Sequence, residues 1–197
     1  VGDAIKESGI NRKELFITTK LWHTDSGYEK TKKGFEASME KLQLDYLDLY
    51  LIHQPFGDYY GSWRAMEELY ENKKIRAIGV CNFYPDRFLD LVEHNKIVPA
   101  VNQIEIHPLF QREYDESIMK PYGTQMEAWS PLVRGEKILD NETLKNIGAK
   151  YGKTPAQVIL RWLIQRNIIV IPKSVHKERI IENFNIFDFE LSSDDMD

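Results

Sequence analysis

Six short apolar runs punctuate the chain, and each ends in polar or reactive side chains. They occupy residues 15–20, 47–53, 75–82, 101–107, 125–130 and 168–174. The first alternates and is β-branched, which predicts a strand. Residues 47–53 are almost continuously apolar, the pattern of a strand buried on both faces. Strands are likewise predicted over 75–80, 101–106, 125–130 and 168–172. Between the runs the periodicity changes. Residues 29–42 place Phe35, Met39 and Leu42 on one helical stripe, and 62–74 turn Trp63, Met66, Leu69 and Tyr70 inward. Further helices are predicted over 85–95, 114–122, 141–151, 154–166 and 177–184. The fourth of these opens with Thr154, Pro155 and Gln157, a capping box with proline at the first helical position.

Successive strands start roughly 25 to 30 residues apart, except where two helices follow one another, and this suits repeated right-handed βα units. A doubly wound open sheet and a (β/α)8 barrel both have that rhythm. An open sheet usually carries a Gly-rich phosphate loop after its first strand. No G-x-G-x-x-G follows any strand here, and every strand end carries functional groups, so the barrel is preferred. Six strands cannot close an eight-stranded barrel. Either two strands precede Val1 or the barrel reading fails. On the barrel reading the chain is an incomplete (β/α)8 TIM barrel, a single domain over 1–197, holding barrel strands 3–8, with the first two strands and the final C-terminal segment absent. Residues 1–9 read as the tail of a helix stopped by Gly9, and 192–197 as the cap and first turn of another.

Composition narrows the partners. The chain is 42% hydrophobic and 29% charged, with net charge −5 and a pI of about 5.6. That offers no basic field for nucleic acid or an acidic membrane. Cys81 is the sole cysteine, which rules out an internal disulfide and fits a reducing, cytoplasmic location. No apolar stretch is long enough to cross a bilayer. The chain is expected to act as a monomer on a small molecule.

Parallel sheets with helical crossovers put their chemistry at the carboxyl ends of the strands. Lys20 is either a lysine reaching solvent or a cation that acidifies a neighbouring tyrosine. His53 ends the most apolar strand, as a core histidine or as a carbonyl-orienting donor. Asn82 and Gln103 can hold both sides of an amide, or bond to nearby backbone. Trp129 can stack on a flat ring or fill the barrel top. Cys81 lacks a paired histidine at a recognisable spacing, so a nucleophile is disfavoured. No His/Cys/Asp cluster has metal-ligand spacing, and no metal is expected. His107 reads as structural; His23, His94 and His176 read as surface residues. Phe56, Tyr59, Tyr60 and Trp63 make an aromatic loop that favours apolar or aromatic substrates.

The last strand gives the most specific local signal, Ile171-Pro-Lys-Ser174 followed by Glu178-Arg-Ile-Ile-Glu-Asn183. Lys173, Ser174 and Arg179 suit a phosphate monoester at a helix start. Glu182 and Asn183 share the helical face of Arg179 and suit an exocyclic amine or ring nitrogens. The alternative is a solvated, charged helix start.

The ordered set of motifs resembles the aldo-keto reductase family along the whole chain. It comprises Thr18-Thr-Lys-Leu-Trp22, Asp48-Leu-Tyr-Leu-Ile-His53, Lys74-Ile-Arg-Ala-Ile-Gly-Val-Cys-Asn-Phe83, Val101-Asn-Gln-Ile-Glu-Ile-His-Pro108, Glu127-Ala-Trp-Ser-Pro131 and the last-strand segment. The short loop after Pro131 resembles the small microbial members, of the 2,5-diketo-gluconate reductase and prostaglandin F synthase kind. The resemblance implies NADPH-dependent reduction of aldehydes or ketones by an Asp, Tyr, Lys and His tetrad. Lys20 and His53 match its lysine and histidine, and Trp22 and His53 border the substrate carbonyl. Asn82 and Gln103 would hold the nicotinamide carboxamide, Trp129 would stack on the ring, and Ser130 and Leu132 would line the pyrophosphate path. Lys173, Ser174 and Arg179 would grip the 2′-phosphate, and Glu182 and Asn183 would meet the adenine. The family's Asp and Tyr are expected before Val1. Cys81 stands where the family usually has serine. An NADP(H)-binding regulatory module is the alternative, and a ligand-free structural barrel the third.

Overall fold

The computed structural model describes residues 1–133 and 137–197. These divide into two units, Val1–Asn102 with Ile118–Thr124, and Gln103–Ser117 with Gln125–Asp197. Within each, neighbouring strands are parallel and consecutive in sequence.

In the first unit the order is α1 (Gly2–Ser8), β1 (Thr18–Leu21), α2 (Tyr28–Leu42), β2 (Leu47–Ile52), α3 (Tyr59–Glu71), β3 (Ile75–Cys81) and α4 (Pro85–Glu93). β1 starts three residues later than predicted and runs one residue further, following a 3-10 turn at Arg12–Glu14. α3 starts three residues early. Asp58 caps it by accepting from the Gly61 amide at 2.8 Å, which satisfies a donor that the helix start leaves open. β2 is buried at every position, as its unbroken apolar run requires. Its alternate residues serve two layers. Leu49 and Leu51 cluster with Ala77, Cys81 and Val101, whereas Tyr50 meets Phe35 of α2 edge-on at 5.7 Å.

The register Thr18↔Leu49, Leu21↔Ile52 and Leu51↔Gly79 brings the strand ends level. Gly79 is required there. A Cβ at that position would lie 2.5 Å from the Val101 carbonyl oxygen and 2.7 Å from Leu51 Cδ2.

At the other end of β2, Asp48 is fully buried. It accepts from the Ile17 amide at 2.9 Å and from Arg12 and Arg76, each at 2.7 Å. Burial pushes its carboxyl up, but the Ile17 amide and the two guanidinium groups outweigh burial and hold it below the usual carboxylate range. Asp48→Ala would leave the Ile17 amide and the mostly buried Arg12 without their acceptor around a void, while Arg76 is open to water. The expected loss is about 3–5 kcal/mol, read from the urea midpoint at unchanged m value. Because the folded pKa is depressed, this support is complete above the unfolded value, about 3.9, and fades as pH falls through the folded one.

β4 (Val101–Glu105) has its first two residues in the first unit and the rest in the second. The second unit continues with α5 (Glu113–Met119, its last two residues counted with the first unit), β5 (Gln125–Trp129), α6 (Glu142–Tyr151), α7 (Pro155–Gln165), β6 (Ile169–Val170), α8 (Lys177–Phe184) and α9 (Ser193–Met196). α5 ends in a 3-10 turn at Lys120–Tyr122 because Pro121 cannot continue the helix. The capping box at Thr154 forms as read, with Gln157 reciprocating. α7 buries Val158, Ile159, Leu160 and Leu163. β6 pairs with β5 through Glu127↔Ile169 and Ala128↔Val170. It spans two residues where five were predicted, since Pro172 has no amide to donate.

Candidate active site

In the first unit the carboxyl ends of β1, β2 and β3 gather Lys20, Trp22, His53 and Asn82. The His53 amide donates to the Leu21 carbonyl at 3.1 Å, extending the ladder one step beyond the strands. This sets the His53 and Trp22 rings side by side, with centroids 4.8 Å apart. His53 is partly buried; burial, then the positive charges of Lys20 and His23, hold its pKa below the usual imidazole value. Its neutral form therefore persists further into the acid range, and a neutral imidazole N–H can donate to a carbonyl oxygen without giving up its proton.

Asn82 sits in the left-handed region with φ 59°, which Asn tolerates better than most residues. Its Nδ2 donates to the His53 backbone carbonyl at 3.4 Å, so the backbone alternative weighed for Asn82 is realised in this bond. Cys81 is 1% exposed, which leaves it inside the apolar cluster.

His23 was read as a surface residue only. Its ring lies 4.8 Å from Trp22 and 6.4 Å from Phe56, so it borders the same rim. Spacing gave one available signal, since it follows directly on the strand-end motif. The aromatic loop needs correction. Trp63 is fully buried and donates to the Ile97 carbonyl at 3.1 Å, which makes it core. Tyr59 and Tyr60 both donate their hydroxyls to Asp90 of α4. Phe56 and Trp22 remain exposed.

In the second unit Gln103 is buried, and its Nε2 donates to the buried Glu127 carboxylate. Glu127 was named only as the start of a motif and given no role, because strand alternation alone does not say which face is the inner one. Trp129 ends β5, half-buried. Ser130 follows in the left-handed region with φ 52°, and Leu132 is half-buried. The loop after Pro131 includes residues 134–136, which lie outside the described residues.

Lys173 is exposed after β6. The Ser174 hydroxyl accepts from the His176 amide at 3.1 Å, a turn that leads into α8. Arg179, Glu182 and Asn183 lie on α8 with the spacing foreseen. Glu182 Oε1 accepts from the Thr154 hydroxyl at 2.6 Å, tying α8 to the cap of α7. His107 is buried beside Glu105, at 3.6 Å. Among the described residues no group of three or more His, Cys, Asp or Glu could hold a metal, and no helix is long and apolar enough to cross a membrane.

The profile of the Aldo/keto reductase family matches residues 1–197. The chain belongs to that family. It is 54% identical to glyoxal reductase of Bacillus subtilis, over all of this chain and 71% of that protein. It is 50% identical to the 9,11-endoperoxide prostaglandin H2 reductase of Trypanosoma cruzi, over all of this chain and 70% of that one. Among solved structures it matches MGS-M4, an aldo-keto reductase from a deep-sea metagenome library, with TM-score 0.98 and 48% identity, over 100% of this chain and 74% of that one. The Bombyx mori aldo-keto reductase in complex with NADP matches with TM-score 0.91 and 35% identity, over 98% of this chain and 69% of that one. The fold expectation is met: the described residues carry six sheet strands in sequence order, and the family and structural matches are consistent with the (β/α)8 barrel fold.

Proposed function

We propose that this chain reduces aldehydes or ketones to alcohols with NADPH, acting as a cytoplasmic monomer. One observation carries the reading. At the carboxyl ends of β1 and β2 a partly buried imidazole lies against Trp22, close enough to Lys20 for that charge to press its pKa down. Relatives named as reductases of glyoxal and of a prostaglandin endoperoxide support it, as does a structural neighbour in complex with NADP.

His53 donates an N–H to the substrate carbonyl oxygen and orients it, with Trp22 against the substrate. The Lys20 charge lowers the pKa of a tyrosine that protonates that oxygen. The tyrosines that follow β2 do not serve, because Tyr59 and Tyr60 are engaged by Asp90. Tyr50 is buried and its phenol is pushed up, the wrong direction for an acid. We place the tyrosine and its aspartate partner upstream of Val1.

The donor set fits a phosphorylated dinucleotide, which when bound supplies the hydride. Asn82 and Gln103 hold its carboxamide, Trp129 stacks on its ring, and Ser130 and Leu132 line its pyrophosphate path. Lys173, Ser174 and Arg179 take the 2′-phosphate. Asn183 and Glu182 meet the adenine, Glu182 through the oxygen that Thr154 does not occupy.

The test is NADPH oxidation followed by absorbance, with glyoxal and with an aromatic aldehyde. The full-length protein is expected to turn over both, and residues 1–197 alone neither. No rate above background from the full-length protein would sink the enzyme reading. Tight NADPH binding with that result would favour a regulatory module instead.

A further inference from the structure

We propose that Glu127 is a positioning residue whose carboxylate decides which end of the Gln103 amide is offered to a bound nicotinamide. The inference rests on the assignment of Gln103 to the cofactor carboxamide. Gln103 on β4 is 2% exposed and Glu127 on β5 is 7% exposed, and Gln103 Nε2 donates to Glu127 Oε1.

An amide side chain turned over about its last bond keeps its shape but exchanges donor for acceptor. Nothing in its outline selects one orientation. A carboxylate only accepts, so the end of Gln103 that meets Glu127 has to be the NH2. The reverse orientation would set oxygen against oxygen within a buried pair, with no solvent to relieve it. Oε1 is thereby the other end of the amide, and a carbonyl oxygen can accept more than one N–H. A nicotinamide carboxamide carries both an NH2 and a carbonyl. Gln103 held with its oxygen forward accepts from that NH2, which fixes the rotation of the carboxamide as well as its place.

The full-length protein and its Glu127→Gln variant are titrated, by quenching of tryptophan fluorescence, with NADP+ and with its 3-acetylpyridine analogue. In the analogue a methyl group replaces the amide NH2. The parent protein is expected to bind the analogue about tenfold more weakly, the effect of one lost hydrogen bond. In E127Q the facing group can donate as well as accept, Gln103 is able to turn over, and the ratio falls to about twofold or less. Glu127→Asp keeps a carboxylate and keeps the discrimination. Glu127→Met, apolar and of similar length, gives a second reading of the lowered ratio should E127Q not fold.

A purely structural role for Glu127 would lower the melting temperature of E127Q and leave the ratio at its parent value. That outcome overturns the inference, and so does a parent ratio near one. A parent protein that fails to bind NADP+ at all would instead remove the cofactor reading on which the inference stands.

Discussion

Lys20→Met is expected to lower carbonyl reduction by about 10²–10⁴-fold while the dissociation constant for NADPH stays within about twofold. Lys20 is half-buried at the end of β1, its Cα level with Leu51 of β2, two residues before His53. Its charge reaches His53, and on the proposed function it acts on an acid–base group and not on the cofactor's phosphates. Loss confined to turnover is what such a position predicts. The same substitution has a second readout. Burial depresses His53 first, and the charges of Lys20 and His23 depress it further. Removing one of those charges lets the His53 pKa rise, so in K20M its protonation sets in at higher pH. NMR titration of the imidazole protons in parent and variant measures the shift. A wild-type rate in K20M, or a His53 titration that does not move, would contradict the assignment. Lys20→Arg keeps the charge but replaces a compact ammonium by a planar fork, and is expected to recover only part of the rate.

The second large effect concerns the phosphate grip. Lys173→Ala combined with Arg179→Ala is expected to weaken NADPH binding by about 10²-fold or more, since two charge-assisted contacts are removed together. NADH, which lacks the 2′-phosphate, should bind the variant about as it binds the parent. Ser174 turns the chain into α8 through the His176 amide, and Arg179 then falls in the first turn of that helix. Lys173 and Arg179 are both solvent-exposed, so the NADPH preference should shrink as salt rises. Fluorescence titrations of both nucleotides at two ionic strengths provide the check. Equal losses for NADPH and NADH would move these residues away from the 2′-phosphate.

The sequence was most informative where a single physical requirement dominates. β2 had to be a strand buried on both faces because its run is unbroken. α7 had to begin at Thr154 because the box, the proline and the apolar stripe agree. That Trp22, His53 and Asn82 would lie together was legible because they end neighbouring parallel strands. Other features depend on contacts between distant segments, and spacing does not encode them. Trp63 was given two readings, inward on its helix and part of an aromatic rim; periodicity had the right one, and only its bond to the distant Ile97 carbonyl was beyond reach of spacing. His23 is at the surface, as read, but its approach to Phe56 is a contact between distant segments. Glu127 could not be paired with Gln103 before the faces of β4 and β5 were known. Local chemistry set the short β6 too: Pro172 was visible, and its missing amide stops the ladder.

The bond from Asn82 to the His53 carbonyl has an engineering consequence. The amide after one strand donates to the backbone that carries the neighbouring strand's imidazole, so a shift of that backbone removes or strains the bond. Reshaping the segment from His53 to Phe56 to admit a bulkier aldehyde is expected to disturb Asn82 wherever it moves the His53 carbonyl. Nucleotide affinity should then be assayed beside substrate range in every such variant.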